Sequence, residues 1–121
     1  TNILPAFYTR ESDFKVSKIN SEYEIARVLK AKWDLELNGG VVIANPIPEE
    51  YSMDRNVIDK TILDALKEAD ENGIKGKDTT PFLLDKVQKL TQGKSLEANI
   101  RLVFNNAKLA SKIAIEYSKL A

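Results

Sequence analysis

Cysteine and histidine are both absent from this sequence of 121 residues. The first absence excludes a disulfide framework, a thiolate nucleophile and every Cys-ligated zinc site; the second removes the usual general base and the commonest metal ligand. Glycine (5) and proline (4) are scarce, so there is no low-complexity tract. A surplus of charge of either sign is missing too, since Lys+Arg and Asp+Glu are 18 each and the formal net charge is +0. No global field is then available to gather nucleic acid or anionic lipid, and neither is expected as a partner. The longest apolar run free of proline is Val41-Val42-Ile43-Ala44, far short of a membrane span, and no signal-peptide pattern opens the chain. A cytoplasmic location is expected, with an organelle matrix as the alternative. What is present, 43% hydrophobic and 30% charged residues, is the composition of one ordinary folded domain. Any chemistry falls to carboxylates, lysines, hydroxyls and amides.

Along the chain, Ile3-Leu4-Pro5-Ala6-Phe7-Tyr8 has the composition of a buried strand, and Phe14 with Val16 suggests a second strand or extended edge. Ser21 and Glu24 form a capping-box pattern, after which Ile25, Val28, Leu29, Lys32 and Trp33 recur at helical spacing until Asn38-Gly39-Gly40. Residues 41–44, apolar and mostly β-branched without polar alternation, are expected to form a central strand covered on both faces. Pro46 and Pro48 stop it and hold Asn45, Glu49 and Glu50 on a stiff loop at the strand's C-terminal end, the edge where open α/β sheets bind ligands. Met53-Asp54 opens a helix through Val57, Ile58, Ile62, Leu66 and Ala69 to Gly73. Thr80-Pro81 is expected to cap a third helix, and Ser95 a fourth that runs nearly to Ala121. On that last helix Leu96, Ile100, Val103, Ala107, Ala110, Ala114 and Tyr117 fall on one face, and the three alanines invite close approach by a neighbour. Four helices with two or three strands leave the central strand short of partners. The strands come either from another chain or from a larger α/β protein of which this is the C-terminal part.

Candidate chemistry is sparse. The lysines lie on charged helix faces, and Lys75-Gly76-Lys77-Asp78 matches no phosphate-binding fingerprint. Glu49-Glu50 is the one carboxylate pair beside the expected sheet edge. Asn99, Asn105 and Asn106 are the more informative group, because amides are poor helix formers and three lie within one stretch of helix. At about 100° per residue, Asn99 and Asn106 share one border of the apolar stripe and are expected to be half-buried, while Asn105 points away. Such an amide can hold a sugar hydroxyl, a phosphate oxygen or a metal-bound water, or bond a neighbouring backbone.

The blocks Phe7-Tyr8-Thr9-Arg10, Gly39-Gly40-Val41-Val42-Ile43-Ala44-Asn45-Pro46-Ile47-Pro48-Glu49-Glu50, Gly76-Lys77-Asp78-Thr79-Thr80-Pro81-Phe82-Leu83-Leu84, Ser95-Leu96-Glu97-Ala98-Asn99-Ile100 and Asn105-Asn106-Ala107 occur in order over nearly the whole chain. Together they resemble the C-terminal part of the pseudouridine-5'-phosphate glycosidases, also called the indigoidine synthase A-like family. The resemblance implies an α/β fold, the C-terminal portion of a three-layer α/β/α sandwich, with its sheet partners upstream. The whole chain is then one segment of a glycosidase domain, residues 1–45 giving strand, helix and central strand and residues 46–121 the three-helix part.

The implied reaction is reversible cleavage of the carbon–carbon glycosidic bond of pseudouridine 5'-phosphate, a small-molecule nucleotide, to uracil and ribose 5-phosphate through a lysine Schiff base. A divalent metal, typically manganese, and a homotrimer are implied as well. The family's Schiff-base lysine, acidic proton donor and metal-linked aspartate precede Thr1, so no catalytic residue and no metal ligand is expected in this chain. The N-terminal part of the same enzyme is its first expected partner. Asn99 is the best match to an active-site asparagine of the family and Asn106 the second; Asn45, Glu49 and Thr80 are expected to be scaffold, shaping the cleft or a trimer contact. Two other readings remain open on the sequence: a non-catalytic helical interaction module derived from the family, and fusion to a sugar kinase after Ala121.

Overall fold

The computed structural model describes residues 2–6 and 8–120. Four α-helices carry the architecture: α1 (Glu22–Asp34), α2 (Arg55–Glu71), α3 (Thr79–Leu90) and α4 (Lys94–Lys119). Short 3-10 turns at Glu49–Tyr51 and Gly76–Asp78 precede α2 and α3. Local chemistry accounts for two of the starts. The Ser21 hydroxyl accepts the Glu24 N–H at 3.2 Å while the Glu24 carboxylate accepts the Asn20 N–H at 2.9 Å, and Asp54 accepts the Val57 N–H at 3.0 Å. At the end of α2 the chain turns through Gly73 (φ 68°), so that the Ile74 N–H reaches the Ala69 carbonyl at 2.9 Å and closes the last turn.

The other two starts differ from the expected ones. The 3-10 turn feeds α3 one residue before Thr80, which lies exposed inside the helix rather than capping it. Gly93, at φ 83°, occupies the cap of α4, and Ser95 is buried in the first turn with its N–H on the Thr91 hydroxyl at 3.2 Å. Lys94 and Ser95 are therefore already helical, because the left-handed glycine sets the turn. At its other end α1 stops at Asp34, short of the expected Asn38, where Glu36 takes a left-handed φ of 55° and the Lys32 ammonium donates to the Leu37 and Asn38 carbonyls.

The main core lies beneath the 45–53 loop. Ile47, Ile58, Ala65, Val87 and Ala98 bring the loop, α2, α3 and α4 together, Tyr8 closes one side, and Met53, Ile62, Leu83 and Leu102 pack around them. Full burial of an Ile or Val side chain contributes roughly 1.5–3 kcal/mol, so Ile47, Ile58 and Val87 anchor this region. Ile25 and Ala26 of α1 and Ile113 of α4 form a second contact, where α1 packs along the far half of α4.

No multi-residue strand is present among the described residues, which corrects the expected strands. Residues 2–4 and 14–16 meet in a single antiparallel bridge, Ile3 with Lys15, flanked by Leu4 N–H to Phe14 O at 2.8 Å and Val16 N–H to Asn2 O at 2.9 Å. Of the expected 3–8 strand, Phe7 lies outside the described residues, as do Thr1 and Ala121. Residues 41–44 join no ladder: their backbone groups bond no described residue, and Val42 is 93% exposed. A strand needs a neighbour, and none of the described residues supplies one.

The face that α4 buries is the second correction. Ser95, Ala98, Leu102, Asn105, Leu109 and Ile113 turn inward, whereas Leu96, Ile100, Val103, Ala107, Ala110 and Ala114 of the expected stripe are exposed. The inward face is rotated from that stripe by roughly a third of a turn. The helix is apolar on both, and this chain covers only one.

Candidate functional site

The Pro46 ring removes a backbone donor and Pro48 removes another, so the 45–48 segment cannot run a ladder of its own and is held by side chains instead. Asn105 of α4 donates its Nδ2 to the Pro46 carbonyl at 3.0 Å, and Asn45 donates its Nδ2 to Asn106 Oδ1 at 3.2 Å. From the opposite side Arg10 donates Nη1 to the Ile47 carbonyl at 2.7 Å, and its N–H meets Ser52 Oγ at 3.3 Å. Further round the loop, Met53 N–H bonds the Tyr8 carbonyl at 2.8 Å and the Arg101 guanidinium stacks over the Tyr51 ring, 4.7 Å from its centre. The loop is thus fastened to α4 on one flank and to the 8–10 segment on the other. Burial pushes the Tyr8 phenol above its ordinary pKa, keeping it neutral beside this core.

Each expected site residue has a definite place in this arrangement. Asn99 is half-buried on α4 as the spacing predicts, and its side-chain amide makes no hydrogen bond to a described residue. Asn106 is exposed rather than half-buried, and its oxygen is taken by Asn45, itself half-buried at the loop's start. Asn105, expected to point away, is half-buried and binds the loop; it lies on the inward face because that face is rotated from the stripe used to orient it. The series Ala98, Leu102, Asn105, Leu109 at helical spacing is the sequence signal that marks it.

Glu49 is exposed at the first position of the 3-10 turn, with Glu50 beside it. Thr80 lies apart, on a groove of about 320 Å³ with Tyr8, Thr9, Ile58, Leu83 and Val87. No cluster of three acidic side chains suited to a metal ion occurs among the described residues, so they do not fit a metal site. No lysine is buried; Lys86, half-buried, pairs with Glu68 at 2.6 Å.

A larger groove of about 630 Å³ runs between α1 and α4. Leu29, Trp33, Ile43, Ala110, Ala114 and Tyr117 line it, and Asn45 and Asn106 stand at its polar edge. The asparagine side chains of α4 therefore divide: two bond the loop, and that of Asn99 bonds no described residue.

Fold and sequence comparisons agree on the class. A crystal structure described as an indigoidine synthase A-like protein from Thermotoga maritima superposes with a TM-score of 0.83 at 34% identity, covering 96% of this chain and 38% of that one. A prealnumycin C-glycosynthase crystallised with ribulose 5-phosphate superposes with a TM-score of 0.88 at 28% identity, covering 99% of this chain and 40% of the other. The sequence model described as "Indigoidine synthase A like protein" matches residues 1–116, and the chain belongs to that family. Among curated relatives, the pseudouridine-5'-phosphate glycosidase of Clostridium botulinum is 63% identical over 121 residues, and that of Caldanaerobacter subterraneus 58%. The chain spans about 39% of the length of these relatives.

Proposed function

We propose that this chain is the C-terminal portion of a pseudouridine-5'-phosphate glycosidase, which breaks the carbon–carbon glycosidic bond of pseudouridine 5'-phosphate reversibly to give uracil and ribose 5-phosphate. The observation that carries this reading is 63% identity to the Clostridium botulinum glycosidase across 99% of the chain. Hydrolysis adds water across the bond, the base carbon taking a proton and C1' a hydroxyl. Protonating a ring heteroatom does not release a carbon leaving group, which is why the opened sugar is held at C1' as a Schiff base to a lysine. That lysine, the acidic proton donor and the ligands of a divalent cation, expected to be manganese, belong to the preceding portion of the polypeptide. The contribution of this segment is Asn99, whose unengaged amide hydrogen-bonds a polar group of the substrate, together with the wall around it.

The preceding portion also supplies the sheet of a three-layer α/β/α sandwich. Residues 41–44 support this, being apolar and exposed with unpaired backbone groups, as does the open face of α4. Three copies of the complete polypeptide form the active assembly.

A chimera tests the proposal: this chain replaces the matching 39% of the Clostridium botulinum glycosidase. The chimera is expected to release uracil from pseudouridine 5'-phosphate, and the 121-residue chain alone to release none. A folded but inactive chimera, or turnover by the isolated chain, overturns the reading.

A further inference from the structure

We infer that Asn105 is a positioning residue for the reaction, fixing the rotation and axial register of α4 against the 45–53 loop so that Asn99 meets the substrate. The inference rests on the glycosidase reading. Asn99 bonds no described residue, so its orientation is inherited from the helix that carries it. Asn105 lies six residues further along, about 9 Å at 1.5 Å per residue, and its 3.0 Å bond to the Pro46 carbonyl is directional where the apolar contacts beside it are not.

The receiving loop is itself fixed. Ile47 is fully buried, its carbonyl is held by Arg10 at 2.7 Å, and prolines on either side restrict the backbone. Asn45 and Asn106 add a second amide contact one residue along, at 3.2 Å. Arg101, one turn before Asn105, stacks on Tyr51 and fastens the same helix to the far end of the loop. An asparagine on a half-buried helical face between Leu102 and Leu109 replaces a side chain that would favour the helix more, and the loop contact is what it supplies. A sub-ångström slide of α4 leaves most apolar contacts intact but moves Asn99 off a hydrogen-bonding position.

The test uses the active chimera, with Asn105→Asp, Asn99→Ala and the pair combined. Aspartate keeps the shape of the side chain and loses the donor. We expect Asn105→Asp to lower kcat roughly ten- to a hundredfold while KM changes little. In the Asn99→Ala background the same change is expected to add no further loss, because both act through one contact. Losses that multiply independently, or an Asn105→Asp enzyme with unchanged kcat, overturn the inference. An Asn99→Ala enzyme with full kcat overturns the inference as well, whereas failure of the glycosidase reading shows earlier, as a folded chimera without turnover, which separates the two failures. Should Asn105→Asp not fold, Asn45→Ala breaks the neighbouring contact at the loop's start; a smaller kcat loss that vanishes in the Asn99→Ala background supports the inference, and a loss that persists there or no loss at all overturns it.

Discussion

Glu22 opens α1 and meets Lys112 of α4 at 3.1 Å, across 90 residues of sequence. Its own backbone N–H and then the Lys112 ammonium hold the carboxyl below the ordinary carboxylate pKa. A carboxylate whose folded pKa is depressed stabilises the fold above its unfolded value, and that contribution disappears as the pH falls through the folded one. Acidification is therefore expected to loosen α1 from α4, with Glu22 protonating later than a free glutamate. In the chimera, an NMR titration of Lys112→Ala should move Glu22 part of the way back up and leave the share set by its backbone N–H. Asn99 is half-buried as the sequence predicts because it borders both apolar faces of α4, whereas Asn106, placed by the same spacing, is exposed. The inward place of Asn105 was not legible in the sequence, because it depends on which of two apolar faces the rest of the chain covers.

Helix starts show where local chemistry ends and tertiary structure takes over. Ser21 and Asp54 cap as their sequences predict, since the capping oxygen and the backbone N–H it accepts from lie three residues apart. Ser95 and Thr80 carry the same residue types, but Gly93 and the Gly76–Asp78 turn move the starts upstream, and these depend on how α2, α3 and α4 connect. Asp54→Ala is expected to cost about 1 kcal/mol in denaturant unfolding of the chimera, and Ser95→Ala clearly less, because Ser95 makes no cap bond. Equal losses would show that the two hydroxyl- and carboxyl-bearing starts are equivalent after all. Residues 41–44 are the opposite case: their strand signal is strong, and no described residue supplies the ladder that would express it.

At the scale of the whole molecule, much apolar surface is left open. Val103, Phe104 and Ile115 of α4, Val28 and Trp33 of α1, and Val42 are all exposed. A soluble domain rarely exposes so many large apolar side chains, and the chain spans only about 39% of the length of its relatives. The isolated chain is expected to bind a hydrophobic dye strongly and the chimera only weakly; equal weak binding would mean that the chain covers this surface by itself. Periodicity and caps made the four helices legible in the sequence, while the buried face of α4 and the starts of α3 and α4 were not, because they depend on which surfaces the rest of the chain covers and how the helices connect.

Val-Val-Ile-Ala, uncharged and rich in β-branched side chains, is the composition that stacks into cross-β fibrils when bare. Such stacking favours runs of about six or seven residues, and Pro46 and Pro48 cut this one off at four apolar residues and an asparagine. The stiff loop that receives Asn105 therefore also sits where a gatekeeper would, shortening the one run of this chain suited to pairing edge to edge with another copy.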